Sequence, residues 1–308
     1  MAGWTIGASG LAEILAIGRR LGLAGFLLLC LWSVATFGML GAAWAVAVPA
    51  GGIRLLPHFA WARALREAVS DLLPFSQLGG IVVGTRSLTA AGIAPRYVYG
   101  ALMVDITTEM ASQLVYTLFG LALMASLLMD GGAGAGLRLT ILGGTGVMVV
   151  IILGVFATQR FGPALMMRIA GRVLPARAAA IGDFRAVLAG VYARRGAVTL
   201  SFLFNLAAWV MSGAAAWLVL RLMAVPISLC NALSLESLIF TLRSVAFMIP
   251  GAIGVQEAAY VVAAPLFGLP VEAALALSFA KRAREVVLGL PCLLIWQFGE
   301  MRAVTRRA

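Results

Sequence analysis

The sequence PGAIGVQE (residues 250–257), followed by GLP (residues 268–270), interrupts an otherwise apolar part of the chain. The apolar segment before it, residues 234–250, contains Glu236 and Arg243. Proline and glycine end or break helices. The pieces left on either side are shorter than the about 20 apolar residues that a membrane-spanning helix needs.

A second interruption of the same kind lies earlier in the chain. Pro74 precedes GGIVVGTR (residues 79–86), and the segment closes at GIAP (residues 92–95). It is too broken for an ordinary span, and the Gly80-x-x-x-Gly84 spacing within it favours close helix packing. We therefore predict two re-entrant hairpins, over about residues 54–94 and 232–268.

The two interruptions belong to an internal repeat. A shift of 176 residues superimposes identical residues and one conservative pair, namely Val69 on Val245, Pro74 on Pro250, Gly92-Ile93 on Gly268-Leu269, and Glu109 on Glu285. The order of elements repeats as well: apolar span, short helix, broken segment, stop, then a long helix with charges. Because the first half holds an odd number of full spans, the second half must be inverted, which is the plan of many transporters.

The composition is that of an all-α, polytopic integral membrane protein. Hydrophobic residues make up 62% of the 308, and only 11% are charged, against about a quarter in soluble domains. The net charge of +11 is explained by cytoplasmic loops and anionic headgroups, so no nucleic-acid partner is needed. A single histidine excludes a His-based metal site, and the three cysteines are interpreted as core residues.

Five full spans are predicted, at residues 21–48, 97–129, 138–158, 197–220 and 273–298.

The arginines indicate which side of the membrane each connection faces. Residues 160–195 carry seven arginines and one acid, Asp183, which is typical of a cytoplasmic loop. The prediction is one membrane domain, with a first half (1–158), an Arg-rich loop (159–196) and a second half (197–308), and with the C-terminus in the cytoplasm. The side on which the N-terminus lies stays open. If it lies in the cytoplasm, one of the two predicted hairpins must instead cross the membrane.

Charges within the predicted spans are the candidate functional residues, because an ionisable group in the membrane normally faces a partner or water. Asp105 and Glu109 share one helical face, and Lys281, Arg284 and Glu285 lie on the matching helix of the repeat. Asp105 aligns with Lys281, so the sequence favours a pairing between them.

Two arginines, Arg86 and Arg243, fall in the broken segments, where turns expose backbone N–H groups. Arginine suits phosphate recognition. One interpretation is therefore an anion or headgroup site, and the other is a structural salt-bridge network without a substrate. The residues alone leave both open.

An enzyme is disfavoured, because no nucleophile with a base and no metal constellation is visible. The sequence GASG (residues 7–10) has the Gly-x-Ser-Gly form used by intramembrane serine proteases, but it precedes the first span. The only histidine, His58, lies in a Pro- and Arg-flanked connection, so a protease is disfavoured. No nucleotide-binding Gly-x-x-x-x-Gly-Lys motif and no other cofactor motif is present. Transport would depend on an ion gradient, a lipid gradient or a partner.

The stretch TLRSVAFMIPGAIGVQE (residues 241–257), with GLP and the KRARE helix segment (residues 281–285), resembles the flippase-like transmembrane family typified by lysylphosphatidylglycerol synthases. The similarity covers about residues 15–300. The family often has Gly-Glu ahead of the first-half arginine, where this chain has Gly84-Thr85. The segment REVVLGLP (residues 284–291) is most similar to the corresponding segment of the subgroup associated with bacterial hopanoid biosynthesis.

The resemblance implies an inner-membrane lipid translocase, with hopanoids or anionic phospholipids as its lipid partners and no aminoacyl-transfer domain. A second copy of the chain, forming a homodimer, and biosynthetic enzymes are two possible protein partners, and the sequence does not choose between them. The alternative function is a non-transporting scaffold that docks such enzymes on the Arg-rich loop. The residues expected around a central charged site are Arg86, Asp105, Glu109, Arg243, Pro250, Gly251, Gly254, Glu257, Lys281, Arg284 and Glu285.

Overall fold

A computed structural model describes residues 8–48, 54–73, 76–130, 190, 192–245 and 252–305. The described part of the chain is all-helical, with eight α-helices and no strands. The helices are α1 (Ala8–Ala45), α2 (Leu56–Leu72), α3 (Ser76–Ala90), α4 (Pro95–Asp130), α5 (Arg195–Leu222), α6 (Leu229–Val245), α7 (Val255–Ala263) and α8 (Val271–Thr305). A 3-10 turn, Ala264–Phe267, extends α7.

The predicted all-α class is confirmed. Two of the described helices, over Gly10–Ala45 and Arg195–Leu222, are long and apolar enough to cross a bilayer. Helices α4 and α8 have 36 and 35 residues, which exceeds the about 20 that a span requires. Helices α2, α3 and α6, of 17, 15 and 17 residues, are shorter than that length.

The glycines of the first broken segment do not break it. Helix α3 runs without interruption through Gly79, Gly80 and Gly84, so the expectation that Arg86 sits in an irregular turn is wrong. A Cβ atom on Gly80 would lie 2.5 Å from the carbonyl oxygen of Arg66 in α2. These small residues thus allow two helices to approach closely, as small-residue motifs do in membranes.

Helix α1 begins before the apolar run that predicted it. It contains one non-helical residue, Gly22, with φ 62° and ψ 175°, a conformation open to glycine and strained for other residues. The predicted start of the first span at residue 21 therefore coincides with a break in a longer helix. Cys230 is exposed, so its interpretation as a core residue is wrong.

The chain divides into two compact units. The first unit comprises Met1–Gly38, Ala60–Ser87 and Val210–Ala308, and the second comprises Met39–Phe59 and Leu88–Trp209. In the first unit, Trp32 Nε1 donates to the carbonyl of Met211 at 2.8 Å, which ties α1 to α5. In the second unit, Trp44 and Phe59 pack edge to face with their ring centroids 5.6 Å apart.

Several predictions fall on residues that the structure does not describe. The predicted span 138–158, the loop residues 160–189, Pro250 and Gly251 lie outside the described ranges. The predicted helix 97–129 corresponds to Pro95–Asp130, and the predicted helix 197–220 corresponds to Arg195–Leu222.

Candidate functional site

Three polar side chains from three helices form a buried triad in the first unit: Glu236 of α6, Tyr260 of α7 and Lys281 of α8. Lys281 Nζ lies 2.6 Å from Glu236 Oε2 and 3.1 Å from the Tyr260 hydroxyl. Tyr260 donates its own hydroxyl hydrogen to Glu236. Glu236 and Tyr260 are fully buried, so each charge in the triad depends on its partner.

Arg243, in the last turn of α6, links two carboxylates from different helices. Its Nη2 atom lies 3.1 Å from Asp71 Oδ1 of α2, and its Nη1 atom lies 3.3 Å from Glu285 Oε1 of α8. The side chains of Arg243 and Asp71 are 15% and 19% exposed, whereas that of Glu285 is 3% exposed. The guanidinium thus holds three helices together through charge-assisted hydrogen bonds. Like Arg86, Arg243 lies on a regular helix rather than in a turn.

Glu285 is shared by three arginines. Besides Arg243, it accepts from Arg282 Nη1 at 3.0 Å and from Arg284 Nη2 at 3.5 Å. Arg282 also reaches Glu257 of α7, with its Nε atom 3.3 Å from Oε1. We call Asp71, Arg243, Glu257, Arg282, Arg284 and Glu285 the arginine cluster. It has three acids and three bases, and its formal charges therefore balance.

The spacing of Gly254 and Glu257 is that of a helix start. Gly254 is the N-cap of α7 with φ 83°, and Glu257 Oε2 accepts its N–H at 2.7 Å. The other oxygen of Glu257 accepts from Ser278 at 3.0 Å. The Gly-x-x-Glu sequence therefore caps a helix and places one carboxylate in the arginine cluster.

A shallow recess with a cavity volume of about 10 Å³, room for about one water molecule, lies beside the arginine cluster. Its polar lining comes from Glu67, Asp71, Arg284 and Glu285, and its apolar lining includes Phe37 and Leu288. This volume is far below the about 300–1,000 Å³ typical of small-molecule pockets. Charged groups thus line an opening in a protein that is otherwise mostly apolar.

Five of the predicted site residues come together in the first unit: Arg243 and Lys281, with Glu257, Arg284 and Glu285. The sequence did not single out Asp71, Tyr260 or Arg282 as site residues. Glu236 was noted inside its segment but was not expected to pair with Lys281, for which the repeat suggested Asp105. The partner of Lys281 is Glu236.

Arg86 does not share the carboxylates that Arg243 binds; it pairs with Glu300. Its Nε atom lies 3.0 Å from Glu300 Oε1, its Nη2 atom also bonds Glu300, and its side chain is 60% exposed. Thr85, which stands where the related family often has an acid, donates to the carbonyls of Ile81 and Val82 in its own helix.

The remaining two predicted residues, Asp105 and Glu109, lie on α4 in the second unit. Asp105 is fully buried and accepts from Asn205 Nδ2 of α5 at 3.3 Å. Asn205 Nδ2 also donates to Thr108 at 3.1 Å, and Thr108 bonds Ser201 at 2.8 Å. The backbone carbonyl of Glu109 accepts from Trp209 Nε1 at 3.4 Å.

Two described helices long and apolar enough to cross a bilayer, with buried ion pairs among their neighbours, are the features of a membrane protein. Residues 1–291 match the family model described as the lysylphosphatidylglycerol synthase TM region, and the chain belongs to that family. The family indicates a membrane protein with a lipid-related role. Neither a curated protein nor a solved structure matched the chain.

Proposed function

We propose that this protein translocates polar-headed lipids, hopanoids or phospholipids, across a bacterial inner membrane. In this proposal the two halves are inverted repeats, each with a re-entrant hairpin, and the Arg-rich loop and C-terminus face the cytoplasm. The protein carries lipid without changing it chemically, so it is a transporter rather than an enzyme. Family membership over residues 1–291 supports a lipid-related role.

The observation that carries the proposal is the position of Arg243 between Asp71 and Glu285. Both carboxylates also line the recess, together with Arg284. A cluster of balanced charges is costly to bury unless every charge is paired. Since the pairs lie beside an opening, a headgroup can exchange with them.

The exchange follows from the geometry of the charged groups. A lipid phosphate offers the guanidinium groups of Arg243 and Arg284 the same planar, bidentate contact that a carboxylate offers. An ammonium or hydroxyl group on the headgroup would then compensate Asp71 or Glu285. Each ion pair that opens within the arginine cluster is thus replaced by an ion pair or hydrogen bond with the lipid headgroup. The lipid tails stay in the apolar surroundings.

The recess is small for a headgroup, so transport requires the arginine cluster to open. The pairs that close the recess link α2, α6 and α8, and they can therefore act as gates in an alternating-access cycle. The conformation described here corresponds to a closed state of such a cycle.

Proteoliposomes test the proposal. The purified protein would be reconstituted with a trace of lipid that carries a fluorescent headgroup, and a membrane-impermeant quencher would report the fraction of label reaching the outer leaflet. We expect protein-dependent movement that Arg243→Gln abolishes. Movement by the variant at the parent rate would contradict the proposed site.

A matched control separates loss of the site from loss of the fold. Arg221 stacks over Trp217 at the end of α5, 5.9 Å from the ring centroid, and is exposed, so Arg221→Gln removes an arginine outside the arginine cluster. This control should move lipid at the parent rate. If the parent protein itself moves neither native nor fluorescent lipids, the alternative function, a non-transporting scaffold for biosynthetic enzymes, would be favoured.

A further inference from the structure

Arg243 joins two carboxylates that are held unequally. Glu285 accepts from three arginines, Arg243, Arg282 and Arg284, at 3.3, 3.0 and 3.5 Å, and its side chain is 3% exposed. Asp71 accepts a single hydrogen bond from the described part of the chain, from Arg243 Nη2 at 3.1 Å, and its side chain is 19% exposed. Of the two carboxylates, Asp71 is therefore the one that keeps no hydrogen-bonded arginine when Arg243 turns away.

The charge of Asp71 depends on the groups around it. They are two acids and two bases: Glu67 of its own helix α2, Arg243 of α6, and Arg284 and Glu285 of α8. Burial and the two acids favour a neutral carboxyl at Asp71, whereas the two arginines favour a carboxylate. An anion that occupies the arginines would therefore favour uptake of a proton by Asp71.

The other neighbours of Asp71 add no net charge. Glu67 is paired with Arg63 at 2.8 Å. The recess beside Asp71 is also lined by Phe37 of α1 and Cys292 of α8, an apolar ring and a thiol that is neutral at about pH 7. Its volume of about 10 Å³ admits about one water molecule. Water can therefore exchange a proton with Asp71 before the arginine cluster opens to a headgroup.

A phosphodiester headgroup would disturb the charge balance of the arginine cluster. The cluster is electrically neutral, and such a headgroup adds a single negative charge, which is costly to bury. A proton on Asp71 restores neutrality and frees Arg243 for the phosphate. We propose that Asp71 takes up one proton when the arginine cluster binds an anionic phosphodiester lipid, and that lipid and proton cross the membrane together.

The cycle balances in protons and in charge. A hydronium ion gives its proton to the Asp71 carboxylate, the ion pair with Arg243 breaks, and the guanidinium binds the lipid phosphate. On the other side of the membrane the phosphate leaves, Asp71 returns its proton to water, and the ion pair forms again. The inference rests on the proposed translocation and adds a lipid class and a coupling ion to it. A zwitterionic lipid such as phosphatidylethanolamine needs no proton, because its own ammonium group compensates Asp71.

Proton uptake on binding is the direct test. Short-chain phosphatidylglycerol would be titrated by calorimetry into the full chain in detergent, in mildly alkaline buffers of different ionisation enthalpy, which reports the protons taken up per bound lipid. We expect about one proton with phosphatidylglycerol and none with short-chain phosphatidylethanolamine. Binding of phosphatidylglycerol without proton uptake, or no binding of it, would overturn the proposal. The comparison uses the parent protein, so it does not depend on how any variant folds.

Asp71→Asn identifies the group that takes the proton. The amide resembles the protonated carboxyl in shape and charge, so this variant should bind phosphatidylglycerol without proton uptake. Glu272→Gln removes a carboxylate in the first turn of α8, outside the arginine cluster, and should take up a proton as the parent does. Uptake by Asp71→Asn equal to that of the parent would show that another group accepts the proton, and the assignment to Asp71 would be wrong.

A pH gradient across proteoliposomes tests the coupling itself. With tail-labelled phosphatidylglycerol, a gradient of about one pH unit should enrich the label about tenfold in the leaflet that faces the alkaline side, beyond its distribution in protein-free liposomes. Neither phosphatidylethanolamine nor the Asp71→Asn variant should respond to the gradient. Movement of phosphatidylglycerol that ignores the gradient would overturn proton coupling and leave translocation standing, whereas no movement of any lipid would overturn the proposed function.

Discussion

Gly92 and Gly268, which lie 176 residues apart, end their helices in the same way. Both have positive φ, 86° and 71°. The N–H of each glycine donates to the carbonyl three residues back, and the N–H of the next residue donates to the carbonyl five residues back; the pairs are Gly92 to Thr89, Ile93 to Leu88, Gly268 to Pro265 and Leu269 to Ala264. Helices α4 and α8 start after these turns, at Pro95 and Val271. The same two bonds also close α5, from Ala224 to Arg221 and from Val225 to Leu220, so these turns are a common type of helix end. The two stops predicted from glycine and proline are helix ends in the structure.

The first prediction concerns these two positions. Gly92→Ala and Gly268→Ala should each destabilise the protein by about 1–2 kcal/mol, since a left-handed conformation is unfavourable for residues with a Cβ atom. No neighbouring atom lies within 4 Å of an added Cβ at either site, so the cost comes from the backbone alone. Denaturant unfolding in detergent micelles measures it. The control is Gly299→Ala, at an equally open helical position in α8, which should not destabilise; a loss as large as that of Gly268→Ala would refute the backbone explanation.

Sequence reasoning succeeded where the structure depends on nearby residues. The stops at residues 92–95 and 268–270 follow from glycine and proline chemistry. The capping role of Glu257, which its spacing to Gly254 permits, was not predicted. Helix α3 shows the limit of that reasoning. The Gly80-x-x-x-Gly84 spacing predicts close helix packing, and Gly80 does lie against Arg66. Local sequence does not reveal that the partner is α2 or that α3 continues through the glycines.

The ion pairs were harder to predict, because they join residues that are distant in the chain. Lys281 pairs with Glu236, 45 positions away in the sequence, and Arg243 pairs with Asp71, 172 positions away. The repeat supplied a complementary charge at Asp105 but no information on packing. Charges inside apolar segments indicated residues that form buried or half-buried ion pairs, such as Arg243, Lys281 and Glu285, and the fold assigned their partners.

The second prediction tests the close packing of α2 and α3. An alanine Cβ at Gly80 would lie 2.5 Å from the carbonyl oxygen of Arg66 and 2.7 Å from Ser70 Oγ. We expect Gly80→Ala to cost about 1–3 kcal/mol, because the backbone atom cannot move without shifting α2. Gly79→Ala is the matched control, since its Cβ would meet only Val69 Cγ1 at 3.3 Å. Similar unfolding midpoints for the two variants would show that this contact is not tight in solution.

The third prediction concerns the buried triad. Lys281→Met leaves the carboxylate of Glu236, which is fully buried, without its cation. Breaking such a pair from one side costs about 3–5 kcal/mol. The double variant Glu236→Gln/Lys281→Met removes both charges and should recover most of that loss. A double-mutant cycle of unfolding free energies gives the coupling, and a double variant as unstable as Lys281→Met would contradict the pairing.

The fourth prediction separates the two functions of Glu257, the α7 cap and the ion pair with Arg282. Glu257→Gln keeps an oxygen that can accept from Gly254 but loses the charge, whereas Glu257→Ala loses both. We expect Glu257→Ala to cost about 0.5–2 kcal/mol, as loss of a helix cap does, and Glu257→Gln to cost less. Both should slow lipid movement in proteoliposomes if the arginine cluster acts as a gate.

Glu272→Gln, which removes a carboxylate in the first turn of α8 outside the arginine cluster, should leave that movement unchanged. If Glu257→Gln moves lipid as fast as the parent and Glu257→Ala does not, Glu257 serves only to cap α7.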